Sequence, residues 1–286
     1  MNADWTVLAA GTLTTVQDRG RPGHAHLGVP RAGALDAPAA ALANRLVGNR
    51  VGDAVLEVTL GGLVVRAGSG RWVAVTGAPV PVTVDGEARS HGAPVWVPAG
   101  ATLALGTPAA GVRSCLAVGG GVAVEPVLGS RSTDTLAWVG PPRVTDGTVL
   151  PVGEPTGDPR SLDTPRPPRP GRLRLHAGPR ADWFAPRALE RLAGATSTVR
   201  TGSNRIGLRL DGPALDRIRD GALASEGMVL GAVQVPPDGQ PVVFLADHPP
   251  TGGYPVVAVV DEADLWQCAQ LRPGDEVGFS LLARPR

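Results

Sequence analysis

The sequence predicts a mainly β protein with a few helices, built as two related halves. Three observations carry that prediction. The 286 residues include 39 Gly and 29 Pro, which cut the chain into short apolar runs of strand length. Only three stretches carry helix signals. An ordered set of markers also recurs on either side of one proline-rich stretch.

Taken in order, the first strong element is a helix within "LDAPAAALANRLVGN", with Asp36 as N-cap, Pro38 in the first turn and Gly48 as the stop. Strands follow at "RWVAVTG", "VPVTVDGE", "APVWVPAGATLAL" and "RSCLAVGGGVAV", with an Asp-Gly turn closing the second. The triple glycine at 119–121 lacks the strand and helix context of a dinucleotide loop and is read as a hairpin turn. Beyond the proline-rich stretch, "GRLRLHAG", "RIGLRLDG", "QPVVFLA", "YPVVAVV" and "DEVGFSLL" continue the strand pattern. "DWFAPRALERLAG" and "DEADLWQCAQLRPGD" are the other helix candidates.

The markers pair across the halves in a fixed order. Gly11 faces Gly178; Arg21, Gly23 and Gly28 face Arg205, Gly207 and Gly212; Glu57 and Gly61 face Glu226 and Gly231. Thr76 then faces Thr251, and Gly100 faces Gly274. Between them "PVGEPTGDPRSLDTPRPPRPGR" is too rich in proline to form a packed element and reads as a stiff linker. The expected organisation is therefore a β domain over 1–150, a linker over 151–172 and a second β domain over 173–286. Each half needs a closed or nearly closed sheet to remove free edges, so barrel-like domains are expected.

Composition excludes several kinds of chemistry. Formal net charge is +1, so no strong field favours nucleic acid or an anionic membrane. Every basic residue is arginine, which rules out a Schiff-base lysine or a phosphate-loop lysine in this chain. Cys115 and Cys268 sit in apolar strings and are expected to be buried thiols in a reducing cytoplasm. No run approaches a membrane span. The nucleophile elbow, the zinc helix and the Walker phosphate loop are all absent. His24 and His26 alternate as strand neighbours would, but two histidines without a third ligand are a poor metal site, and none is expected.

Several segments together resemble one known family. They are "GTLTTVQDRGRPGHAHLGVPRAGALD", "ANRLVGN", "LEVTLGG", "GSNRIGLRLDG", "SEGMVLGAVQVPPDGQP", "TGGYP" and "ADLWQCAQLRPGD". The chain is similar to the family of the C component of 5-oxoprolinase, also called allophanate hydrolase subunit 2 or the biotin-dependent carboxyltransferase family. The resemblance implies two cyclophilin-like β-barrel domains, a B-type partner component and often an A-type one. It implies a complex that opens 5-oxoproline to glutamate at the expense of ATP. Two alternatives stay open under it. One is the carboxyltransferase part of a urea carboxylase or allophanate hydrolase system, with biotin carried by another chain. The other is a non-catalytic regulator of a kinase inhibitor resembling the B component. One departure stands out: at the turn usually read Asp-x-Gln-Thr-Thr-Gly-Gly-Tyr-Pro, Pro249 and Pro250 replace Gln and Thr, removing two side chains and two backbone donors.

Opening a lactam that carries a carboxylate calls for an anion clamp, a proton-handling carboxylate and oxyanion donors. Arg205, with Asn204 beside it, is the expected clamp; a turn-bracing arginine is the alternative. Glu226 reads as a base or hydrogen-bond partner, or else as a structural carboxylate, and Asp247 closes a strand. Gln234 is a lone amide in an apolar strand and needs partners, substrate or barrel. Thr251, Gly252, Gly253 and Tyr254 form the turn; Tyr254 offers an O–H or plugs the barrel mouth. Asp18, Arg21, Asp36 and Arg131 make a second polar set, for which structural ion pairs are the alternative.

Overall fold

Glycine and proline do divide the chain as expected, and strands dominate the computed structural model, which describes residues 4–160, 171–219, 221 and 223–282. The chain forms two units. The first comprises Met1–Arg21, Ala32–Asp134 and Trp138–Pro168; the second comprises Pro22–Arg31, Thr135–Ala137 and Arg169–Arg286. Two short segments from the first half of the sequence thus belong to the second unit.

The first unit contains β1 (Trp5–Ala10), β2 (Leu13–Gln17), α1 (Ala37–Leu46), β3 (Val55–Thr59), β4 (Leu63–Arg66) and β5 (Arg71–Gly77). It continues with β6 (Val82–Val84), β7 (Glu87–Arg89), β8 (Val95–Val97), β9 (Thr102–Leu105), β10 (Arg113–Val118) and β11 (Val149–Leu150). These make two sheets, β11-β1-β4-β9-β6-β7 and β2-β3-β10-β5-β8. Alternate residues of both sheets, among them Val7, Val65, Leu103, Leu56, Val75 and Leu116, fill one shared core. The barrel-like arrangement expected of this half takes the form of two sheets that enclose one core. The β6–β7 hairpin turns at Asp85 and Gly86, both with positive φ (50° and 82°), the geometry that makes Asp-Gly a hairpin signal.

Helix α1 behaves as its sequence requires. The Asp36 carboxylate accepts the Ala39 N–H at 3.0 Å, Pro38 lies in the first turn, and Gly48 leaves the helix at φ 78°. Its small Ala39, Ala40 and Ala43 pack on Val55, Ala74, Cys115 and Ala117. That close approach buries Cys115 completely, as its apolar neighbours suggested.

Three expectations are corrected in this unit. Gly121 N–H closes a turn onto Val118, but the segment beyond it pairs only through Val122 with Val152, so no hairpin follows. The stretch from 151 does not begin as a free linker. Gly153 N–H bonds to Gly121, and Arg160 N–H bonds to Leu46 on the helix end. Residues 161–170 of the expected linker lie outside the described residues. His24 and His26 are not strand neighbours either: Ala25–Leu27 is a 3-10 turn stopped by Gly28 at φ 74°.

The second unit contains β12 (Leu173–Ala177), α2 (Ala188–Gly194), β13 (Thr196–Val199), β14 (Gly207–Asp211), β15 (Glu226–Gly227) and β16 (Ala232–Gln234). It ends with β17 (Val242–Phe244), β18 (Thr251–Gly252), β19 (Val256–Val260), α3 (Leu265–Cys268) and β20 (Glu276–Leu281). Seven strands close a barrel in the order β12-β19-β16-β17-β14-β13-β20. The seam is the parallel pairing of β12 with β20; the other barrel pairings are antiparallel. Both helices are shorter than their sequence windows: Pro186 and the left-handed Arg187 (φ 66°) delay α2, and α3 runs only four residues after a 3-10 turn at Glu262–Asp264. Among the described residues no helix is long and apolar enough to cross a membrane.

Candidate functional site

The site is built on the two-stranded ladder β15–β18, which lies outside the seven barrel strands. Glu226 pairs with Gly252 and Gly227 with Thr251, and Met228 N–H extends the ladder to the Pro250 carbonyl at 2.8 Å. The Thr-Gly-Gly-Tyr segment expected as a turn therefore begins as a strand and only then turns. Gly252 lets the Gln234 and Met228 side chains close on the ladder: a Cβ there would lie 2.7 Å from Gln234 Nε2 and 3.0 Å from Met228 Sδ, so one of them would have to move.

Gln234 resolves the question its isolation raised. It is buried at the end of β16, and its Nε2 donates to the Tyr254 carbonyl at 2.9 Å. The amide thus ties the turn to the barrel wall. The adjacent Val235 N–H donates to the Pro255 carbonyl at 3.2 Å, so two consecutive residues hold the segment. Tyr254 is 44% exposed, which leaves it outside the barrel core and removes the plug reading.

Glu226 meets a partner that the sequence reading missed. Both of its oxygens accept from Arg180, Oε2 from Nε at 3.0 Å and Oε1 from an Nη. The hydrogen bond from Arg180 outweighs desolvation and holds the Glu226 carboxyl below its ordinary value, while Arg180 is pushed up. Their side chains are 30% and 36% exposed, so the pair is accessible. An ionised, fork-bound carboxylate is a hydrogen-bond acceptor at neutral pH and a weak base.

Arg205 and Asp247 also form a bidentate pair, in a different setting. Nε donates to Oδ2 at 2.8 Å and Nη2 to Oδ1 at 2.9 Å, with side chains 1% and 0% exposed. Asp247 Oδ2 further accepts the Thr135 N–H at 2.9 Å and its hydroxyl at 2.7 Å. The expected substrate clamp is corrected on this geometry: the guanidinium is buried and holds a carboxylate of its own chain. Asn204 is likewise engaged, its Oδ1 accepting the N–H of Ile206 at 2.8 Å and bracing its own turn. Asp247 is a support of the site, not a reacting group within reach of solvent. Thr251 serves the ladder: it is exposed and backbone-paired with Gly227.

Next to Asp247, His248 is 6% exposed, with Nδ1 2.8 Å from the Pro249 carbonyl. Burial pushes its imidazole below the ordinary 6.5, and Arg31 pushes the same way; Pro249 and Asp247 oppose them.

The second polar set, in the first unit, is structural. Asp18 accepts from Gly20 N–H, Ser130 Oγ, Ser132 Oγ and Arg131 N–H, which saturates its carboxylate. Arg131 Nε donates to the Val124 carbonyl at 2.6 Å, and Arg21 donates to the carbonyls of Val127 and Ser132. Asp36 caps α1. Among the described residues no group of three or more His, Cys, Asp or Glu could hold a metal ion.

Sequence reasoning thus brought Glu226, Gln234, Gly252, Gly253 and Tyr254 to one place and missed Arg180, Arg217 and Thr135. Arg180 could have been found, because it follows Gly178 at the end of the first strand of the second half. Arg217 is hidden in "LDRIRD", where flanking charges suggest a solvated turn.

Residues 27–281 match the family described as carboxyltransferase domain, subdomain A and B. The C component of 5-oxoprolinase from Escherichia coli is 39% identical over 277 residues, covering 96% of this chain and 89% of that protein. The crystal structure of TTHA0988 is 39% identical with TM-score 0.88, and this chain, covered to 98%, spans 55% of it. The Kluyveromyces lactis urea amidolyase structure gives TM-score 0.91 at 32% identity, covering 99% of this chain and 19% of that one.

Proposed function

The chain belongs to the carboxyltransferase domain, subdomain A and B, family, and from that premise we propose that it is the C component of an ATP-dependent 5-oxoprolinase. In this reading it works with A-type and B-type partner components to open the lactam of 5-oxo-L-proline to L-glutamate. The observation that carries the reading is the near end-to-end likeness to the C component of a 5-oxoprolinase. The geometry adds chemistry that fits. Glu226, kept ionised by Arg180 and part-exposed on the ladder, offers an acceptor for the N–H of a secondary amide. The ladder and Gln234 fix the Gly252–Tyr254 backbone beside it.

The residues present do not fit a P-loop ATP site. The chain has no lysine and no Walker-type glycine-rich phosphate loop, so ATP handling is assigned to a partner and no step is routed through it here. The same lack of lysine means that biotin, in the carboxyltransferase alternative, is carried by another chain. That alternative is favoured by the TM-score to the urea amidolyase structure. It differs in substrate, since urea is neutral and acyclic.

The test is co-purification with the neighbouring gene products and an ATP-coupled assay on 5-oxoproline, urea and allophanate. Turnover of 5-oxoproline by the complex, and none by the chain alone, is expected. An intact complex that turns over urea and leaves 5-oxoproline untouched would establish the alternative.

A further inference from the structure

With Arg205 engaged by Asp247, the anion-binding role it was expected to fill lacks a residue. We propose that Arg217 fills it: the surface beside the β15–β18 ladder takes a small amide that carries a free carboxylate, and Arg217 recognises that carboxylate. The inference rests on the 5-oxoprolinase reading and names the residue that would select its substrate.

Three observations single out Arg217. The first is its charge balance. In the second unit Arg174, Arg180, Arg191, Arg200, Arg205 and Arg219 each have a carboxylate within 4 Å. Arg217 has none among the described residues, a condition it shares with Arg172, Arg187 and Arg209, and the acids on its neighbours are engaged, Asp216 by Arg191 and Asp182 by Arg219.

The second is preorganisation. One Nη of Arg217 donates to the Val235 carbonyl at 2.6 Å, and its Cζ lies 5.6 Å from the centroid of the Tyr254 ring. Tyr254 is itself held by Gln234, the residue before Val235. The guanidinium of Arg217 and the backbone of Tyr254 are therefore tied to consecutive residues at the end of β16, and the Phe184 backbone bridges that of Arg217. Stacking on a ring uses the guanidinium face and leaves its in-plane N–H groups for a planar carboxylate.

The third is an unused donor. Arg217 Nε is buried without a hydrogen-bond partner. A charged donor left in that condition is costly unless the group is kept for a ligand or a water. Gly253, exposed on the same turn, keeps the approach open: a Cβ there would meet nothing closer than the Leu223 carbonyl at 3.6 Å.

The test is calorimetric titration of the full chain, alone and in its complex, with 5-oxoproline and with 2-pyrrolidinone, the same lactam without the carboxylate. The parent is expected to bind 5-oxoproline roughly 10- to 100-fold more tightly, the scale of a charge-assisted hydrogen bond. Arg217→Gln erases that preference, while Arg217→Lys, which keeps the charge and loses the fork, retains part of it. Thermal melts of both variants check folding. Equal binding of the two lactams by the parent, binding of neither, or a preference that survives in Arg217→Gln would each overturn the proposal. The two readings fail separately. A complex active on 5-oxoproline with an unchanged KM in Arg217→Gln removes the subsite and keeps the function. A complex inactive on 5-oxoproline, whose carboxylate preference is nevertheless lost in Arg217→Gln, does the reverse.

Discussion

Two of the bidentate arginine–carboxylate pairs of the second unit share their hydrogen-bonding pattern and differ in character. Arg205–Asp247 is sealed from solvent, and Thr135 donates twice more to the same carboxylate. Arg180–Glu226 is about one-third exposed and stands on a two-stranded ladder outside the barrel. Burial makes either partner of the first pair costly to remove by itself, because a charge that loses its counter-charge in a dry interior is strongly unfavourable. Exposure makes the second cheap to break, because water replaces the partner. A bidentate pair therefore marks a support or a site according to what surrounds it.

Four outcomes would break or sharpen that contrast. The largest effect belongs to Asp247→Ala, which takes from the buried Arg205 the carboxylate that binds it bidentately and is expected to cost about 3–5 kcal/mol in denaturant unfolding. Thr135→Val removes one hydroxyl donor and keeps the backbone one, so a loss of about 1–2 kcal/mol is expected by the same measurement.

Smaller still is the pH response near neutrality. Burial lowers the folded-state values of His248 and His91 below 6.5, so the unfolded chain binds more protons in that range. Stability is then full above 6.5 and falls as pH drops through it toward the folded values. Thermal melts across that window should show the decline, and His248→Gln should flatten it. Glu226, held low, keeps its contribution until pH falls below 4.5. The smallest effect on the fold is that of Glu226→Gln, for which Tm should stay within about 3 °C of the parent.

The fold was legible where local chemistry dictates it. The Asp-Gly hairpin, the Asp36-capped helix and the barrel strands all lie where turn and cap residues put them. Less legible were features decided by distant partners. Arg205 looked like an anion clamp because its neighbours are polar, yet its guanidinium partner lies 42 residues away. Glu226 was identified and Arg180 missed for the same reason, a separation of 46 residues. The Pro-rich start at 151 looked like a free linker because proline forbids regular elements; it does not forbid packing by isolated backbone hydrogen bonds such as Gly153 to Gly121.

The central claim is that the exposed pair serves the reaction and the buried pair serves the fold. The most direct measurement is the steady-state rate of ATP-dependent 5-oxoproline opening by the reconstituted complex, parent against Glu226→Gln, with Tm recorded on the same samples. A fall in kcat/KM of roughly 10- to 100-fold at unchanged Tm is predicted, the effect of losing an ionised acceptor for the lactam N–H. Unchanged kcat/KM in a folded, assembled Glu226→Gln complex would contradict it.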